Sequence, residues 1–243
     1  MQDEPYYRRD LALVHHLGFG FHADACAPGI LALLEPVRGG LVLELGCGSG
    51  LLTRHLVDAG HRVVATDASS EMLALAKRHV PDVEEIRRVV LPDDPLPEAD
   101  AIVSVGHVLN YLPDVRALHD ALVASARALR VGGVLALDLC DLEYGVHRRG
   151  DPPGVVIRDD WVIATRFSTP SPDLFVREIT TFVREGRAWR RDDERHENVL
   201  VDTAAIPGLL AVHGVAATVC SAFGDETLPP GLVAMVGARP GEG

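Results

Sequence analysis

From Leu41 to Gly50 the chain reads Leu-Val-Leu-Glu-Leu-Gly-Cys-Gly-Ser-Gly, and no other stretch restricts the fold so strongly. Apolar residues at 41, 42, 43 and 45 predict a buried strand, interrupted only by Glu44. The run from Ser49 to Ala59 has helical amphipathicity, so the order is strand, tight loop, helix. Glycines at 46, 48 and 50 put no Cβ in the way of a ligand and make positive φ available. A second strand, His61 to Asp67, ends in a carboxylate at the place where a doubly wound sheet holds a ribose diol. Together these two strand ends form the entrance of a nucleotide-type site.

The same residues discriminate between cofactors. A dinucleotide fingerprint needs a third glycine at the sixth position, and counting from Gly46 that position is Leu51. A phosphate loop would need Gly-Lys-Ser/Thr, and no lysine is near. Glu44 beside the loop repels a pyrophosphate but receives an ammonium. A ligand with an adenosine, a ribose and an amino-acid tail, bearing a sulfonium in place of phosphate, fits these constraints.

At this point the sequence resembles the class I S-adenosylmethionine-dependent methyltransferases, whose first motif is (Asp/Glu)-x-Gly-x-Gly-x-Gly and whose second is an acidic residue ending the next strand. Glu44-Leu-Gly46-Cys-Gly48-Ser-Gly50 and Asp67 occupy those places, and Leu129-Arg-Val-Gly132-Gly133 is similar to the Leu-x-Pro-Gly-Gly turn before the family's fifth strand, with Val131 in place of proline. The likeness covers roughly residues 35 to 140 and rests on three matches in order. It implies an α/β fold: a doubly wound, seven-stranded Rossmann-like sheet whose last strand is antiparallel. S-adenosyl-L-methionine is the implied cofactor and S-adenosyl-L-homocysteine its product. An antiparallel β insertion after the fifth strand, expected over 150–201, is similar to insertions in small-molecule members such as deoxysugar N-methyltransferases.

Composition narrows the partners. A formal net charge of −12 weighs against DNA or RNA as substrate, since nucleic-acid binders recover phosphate affinity with a basic face. Asn110-Tyr111 lacks the Asn-Pro-Pro-Tyr pattern of enzymes that methylate bases, which points the same way. A small-molecule acceptor is the expectation. No apolar signal core opens the sequence and no run approaches a membrane-spanning length, so a cytoplasmic protein with no membrane partner is expected. The four cysteines form no Cys-x-x-Cys pair and the histidines no His-x-x-x-His set, so neither a disulfide framework nor a metal site is expected. Oligomeric state is not legible.

Along the chain, residues 1–34 read as a helical arm or lid and 35–243 as the methyltransferase domain. Gly18-Phe19-Gly20-Phe21 divides the arm, and Pro28 is expected at the first turn of its second helix. Further strands are expected over 83–90, 99–105 and 134–139, with a helix from Asp114 to Leu129 between the last two. Val155–Ile157, Trp161–Thr165, Phe175–Val183 and Asn198–Val201 read as antiparallel strands, with Arg184–Arg195 as a mixed-charge strand edge. A helix from Thr203 to about His213 and strands over 215–223 and 232–238 close the domain.

Site residues follow from the resemblance. Gly46 and Gly48 line the methionine and ribose portions, and Asp67 accepts from the two ribose hydroxyls. Met72 packs on the adenine face, and Glu44, Cys47, Ala68, Leu91, Val105 and Gly106 complete the implied cofactor set. The Gly-Asp or similar pair that often reads adenine in the family is replaced by Val89-Val90-Leu91, leaving that contact to the backbone or to Asp93 or Asp94. His107, beyond the fourth strand, is the candidate base, with a cofactor contact or simple packing as its other readings. Tyr6, Tyr7, His15, Phe19 and Phe21 are candidate arm contacts, and Trp161, Phe167 and Trp189 candidate pocket aromatics. The expected reaction is methyl transfer to an N or O atom of the acceptor by in-line displacement. A non-catalytic cofactor-binding regulator or scaffold is compatible with the same motifs, and an NAD(P)-dependent oxidoreductase is disfavoured by Leu51 and Glu44.

Overall fold

The computed structural model describes residues 6–241. The first five positions of the expected arm, on which the reading of a missing signal core partly rests, lie outside the described residues. The elements are α1 (Arg9–Gly18), α2 (Phe21–Leu33), β1 (Leu41–Leu45), α3 (Leu51–Asp58), β2 (Arg62–Asp67), α4 (Ser70–His79), β3 (Glu85–Arg88), β4 (Ala99–Ser104), α5 (Val115–Ala128), β5 (Leu129–Cys140) and α6 (Glu143–His147). They continue with β6 (Gly154–Ile157), β7 (Trp161–Ser171), β8 (Leu174–Glu185), β9 (Ala188–Val199), α7 (Ile206–Val212), β10 (Ala216–Cys220) and β11 (Leu232–Ala238). Short 3₁₀ turns lie at Glu35–Val37, Val108–Tyr111 and Thr203–Ala205.

Seven strands form one sheet in the order β10-β11-β5-β4-β1-β2-β3, with β5, β4, β1, β2 and β3 parallel and β11 antiparallel to both its neighbours. Two-residue alternation decides what each face meets. Val42 of β1 turns to one side, packing with Ile30, Leu52 and Leu56 of α2 and α3, while Leu43 and Leu45 turn to the other, packing with Leu118 and Leu122 of α5 and Leu210 of α7. Glu44 shares the face of Val42 and so meets α3, where Thr53 Oγ1 donates to it. Helix starts are locally encoded: Ser69 accepts from the Met72 N–H at the head of α4, and Asp114 from the Ala117 N–H at the head of α5.

The chain runs outward from β1 to β3 and then returns to β4 on the other flank of β1. This reversal opens a crevice beyond the carboxyl ends of β1 and β4, where doubly wound sheets take their ligands. The expected insertion is a separate antiparallel sheet in the order β6-β7-β8-β9, packed against α1 and the 3₁₀ turn Val108–Tyr111. Its strands are longer than the apolar runs implied, because β9 is built largely from Arg190–Asn198, whose charges occupy a sheet edge.

Pro28 corrects one expectation: it lies inside α2, not at its first turn. The N–H that proline lacks would have bonded the carbonyl of Asp24, and both residues are exposed, so water satisfies that carbonyl.

Candidate active site

The crevice is a cavity of about 660 Å³. Its floor is the glycine turn after β1. Gly46 takes φ 68°, and a Cβ there would collide with the Val108 side chain, so only glycine lets the β1 and β4 loops approach. The Cys47 N–H donates to the Thr66 carbonyl at 2.8 Å and the Gly50 N–H to the Cys47 carbonyl at 2.9 Å, closing the turn against β2. Burial pushes the Cys47 thiol well above its usual range, which rules it out as a nucleophile at neutral pH.

Two carboxylates flank this turn. Glu44 is buried and accepts from Thr53 Oγ1 at 2.6 Å, and burial raises its pKa to about 7, with nearby Asp67 adding to the rise. Asp67 accepts the Gly48 N–H at 2.8 Å and, through its other oxygen, the Ser69 N–H at 2.8 Å. Its carboxylate therefore shapes the glycine turn and the start of α4 together, while Ser69 makes the helix cap. Around these groups the cavity is lined by Gly46, Cys47, Gly48, Ala68, Met72, Leu91, Val105 and Gly106, so every residue of the implied cofactor set reaches the one hollow. Asp93 and Asp94 also line it; the Asp94 carboxylate accepts the Val90 N–H at 2.7 Å, which commits it to its own loop.

Behind the opposite wall lies Asp138, a buried carboxylate near the end of β5 that sequence reasoning did not single out. It accepts the Gly106 N–H at 2.9 Å and the His107 N–H at 2.6 Å, fixing the turn beyond β4, and lies 2.9 Å from His22 Nε2 on α2. An aspartate inside Leu-Ala-Leu-Asp-Leu, at the same sheet end as Glu44 and Asp67, is the signal that could have found it. The side chain of His107 does not line the cavity. It lies behind the wall against Tyr111 and Tyr144, and burial, together with the charge of Arg177, lowers its pKa to about 3. So weak a base is poorly matched to proton transfer near neutrality.

The arm forms the roof. Tyr6, Tyr7, His15, Phe19 and His22 line the cavity, whereas Phe21 is exposed outside it. Ser69 Oγ donates to the Tyr7 carbonyl at 2.9 Å, and His16 Nδ1 lies 2.9 Å from Ser49 Oγ, tying the roof to the floor. Ion pairs of Arg8 with Asp192 and of Asp10 with Arg190 tie it to β9. The three candidate pocket aromatics are elsewhere: Trp161 packs under Gly18 and Phe19, Phe167 stacks on Phe175, and Trp189 lies exposed under Arg184. Among the described residues no cluster of three metal-ligating side chains occurs, and no helix is long and apolar enough to cross a membrane.

Residues 42–133 match the family model described as a methyltransferase domain. Over that stretch the chain resembles a methyltransferase domain, and its seven-stranded sheet has the same fold as solved methyltransferases. A trans-aconitate 2-methyltransferase from Azoarcus sp. is 34% identical over 126 residues, covering 51% of this chain and 48% of that protein. The chain spans about half the length of the curated relatives that it matches at 30% identity or more. The methyltransferase fold extends over the whole chain in solved structures. An S-adenosylmethionine-dependent methyltransferase from Clostridium acetobutylicum superposes with a TM-score of 0.81 at 20% identity, covering 95% of this chain and 98% of its own. The sugar N-methyltransferase KedS8 from Streptoalloteichus sp. does so with a TM-score of 0.77 at 21% identity, covering 99% and 97%. At these identities the likeness is one of fold.

Proposed function

We propose that the chain is an S-adenosylmethionine-dependent methyltransferase acting on an N or O atom of a small molecule, with the arm, described over residues 6–34, as the roof of its site. The observation that carries this reading is the pairing of Glu44 and Asp67 on either side of a glycine turn in one cavity. Two carboxylates there oppose a pyrophosphate and suit an ammonium and a ribose diol. Glu44 receives the ammonium of the amino-acid tail, Asp67 accepts from the ribose hydroxyls, and Met72 and Leu91 border the adenine. Asp93 is the carboxylate of its loop left for the adenine amino group. The bound cofactor supplies a methyl carbon already activated by its sulfonium, so the protein's main task is alignment and exclusion of water.

Proton handling falls to His22. It lines the cavity and is oriented by Asp138, which holds the imidazole in the tautomer protonated at Nε2 and leaves Nδ1, 4.0 Å from the Cys26 thiol, as the nitrogen that accepts. An ammonium or hydroxyl acceptor loses its proton to that nitrogen. His107 contributes its backbone N–H to the same Asp138 and no proton transfer.

Calorimetry with S-adenosylhomocysteine, followed by a radiolabelled methyl-transfer screen over amines, alcohols and acids, tests the reading. Tight binding with a methylated product supports it. Binding without any product would make the chain a non-catalytic cofactor binder, and no binding at all would refute the site. His22→Gln should lower kcat at least about tenfold with cofactor affinity unchanged within about twofold, given the usual contribution of a positioned base.

A further inference from the structure

The register of the insertion sheet places Phe175, Arg177 and Ile179 of β8 opposite Asn198, His196 and Glu194 of β9, on the face turned toward the body of the molecule. His196 and Glu194 satisfy one another, with Nε2 and Oε2 at 2.9 Å. Arg177 has no such partner. Its guanidinium donates to the Tyr111 hydroxyl oxygen and lies 5.5 Å from the centroid of that ring, and its Nε is sealed from solvent with nothing to bond. No carboxylate among the described residues forms an ion pair with it. Those nearby are committed: Asp138 to two backbone N–H groups and His22, and Glu194 to His196 and the Arg8 N–H.

The phenols do not supply the missing charge. Burial holds Tyr111 well above its usual pKa, so it stays neutral beside Arg177. A second cation, Arg148, lies 4.6 Å over the Tyr144 ring, also with a buried, unpartnered Nε. An interior guanidinium with neutral neighbours and a second cation near is destabilising as it stands, and becomes favourable once an anion completes it. The route to it is visible. Tyr111 accepts from Arg177 and donates its own proton to His196 Nδ1 at 3.2 Å, since His196 Nε2 donates to Glu194; the Tyr7 hydroxyl is 3.1 Å from Tyr111, and both phenols line the cavity, which Arg177 adjoins through them.

We propose that Arg177, with the Tyr7 hydroxyl, seats an oxyanion of the acceptor, so that the molecule methylated here carries a carboxylate or phosphoryl group. The proposal rests on the methyltransferase reading of the cavity and adds the chemical class of its acceptor. Arg177 supplies the charge and the Tyr7 hydroxyl a donor, which orients the acceptor by one end.

The test uses the full chain saturated with S-adenosylhomocysteine and titrated by calorimetry with inorganic phosphate and, separately, acetate, at ionic strength held constant with chloride. Wild type should bind at least one of the two saturably, and the preferred one distinguishes a phosphoryl from a carboxylate acceptor. Arg177→Met should weaken that binding at least about tenfold and Arg177→Lys by less, as expected for a charge-assisted site. Arg177→Met should also melt no lower than wild type without anion, since it removes an uncompensated interior charge; a purely structural arginine would lower the melting temperature. Should that variant fail to fold, Tyr7→Phe decides, with a weakening of about threefold or more expected from the lost donor. The proposal is overturned if wild type binds neither anion saturably, or if these variants bind as wild type does. Absence of S-adenosylhomocysteine binding by wild type would strike the methyltransferase reading instead.

Discussion

Glu44 makes the cofactor reading measurable through protons. In the ligand-free protein its pKa is about 7 against an ordinary 4.5, because burial penalises the charged form. At pH 6 roughly ten carboxyls in eleven are therefore protonated, at pH 7 about half, and at pH 8 about one in eleven. An ammonium placed beside Glu44 stabilises the carboxylate and returns its pKa toward the ordinary range. Binding of S-adenosylhomocysteine should then release about 0.9 proton at pH 6, 0.5 at pH 7 and 0.1 at pH 8. Proton release means that affinity rises with pH, by up to about tenfold per unit between pH 5 and 7, and levels off above. The shift to be reversed is worth about 3 kcal/mol as an order of magnitude. Calorimetry at pH 6 in buffers of different ionisation enthalpy reads the proton count directly. Equal apparent enthalpies in all buffers, or proton uptake, would refute the placement of the ammonium at Glu44. Glu44→Gln should abolish the release.

Glu44 also sets a stability prediction. A carboxyl whose folded pKa is raised contributes stability that is complete below its unfolded pKa near 4.5 and is lost as pH rises through about 7. Glu44→Gln, which keeps an acceptor for Thr53, should therefore stabilise the ligand-free protein at pH 8 by about 2 kcal/mol and leave it nearly unchanged at pH 5, read by urea denaturation. Asp67→Ala should weaken S-adenosylhomocysteine binding by about 1 to 3 kcal/mol, through lost ribose bonds and a Gly48 N–H left without its acceptor; unchanged affinity would show Asp67 misassigned. Gly46→Ala forces a methyl group into Val108 at a positive φ and should cost about 1 to 3 kcal/mol of stability and at least tenfold in cofactor affinity, checked by thermal denaturation and calorimetry.

What could be read from the sequence was what local pattern decides. β1 and β2 were legible nearly to the residue because short apolar runs beside a glycine turn and a terminal carboxylate admit one arrangement. That the expected cofactor residues would share one cavity followed, since they sit on adjacent strand ends. β9 was legible only as a strand edge of mixed charge, because Arg190–Asn198 carries almost no apolar alternation and is held as a strand by its pairing with β8. That His22 lines the cavity depends on the arm folding across it to meet Asp138 over a long sequence distance, which no periodicity encodes. The same holds for His107. A histidine beyond a strand end looks accessible in the sequence, whereas Asp138 grips its backbone and turns its ring behind the wall.

The fastenings of the roof differ in kind on its two sides. Toward the glycine turn they are single hydrogen bonds, from Ser69 to Tyr7 and between His16 and Ser49; toward β9 they are ion pairs made by Arg8 and Asp10. Dissolved salt screens exposed charge pairs and leaves neutral bonds almost untouched. Ionic strength therefore acts on the β9 seam chiefly through Arg8–Asp192, because the Asp10 carboxylate is buried and its pair with Arg190 is screened much less.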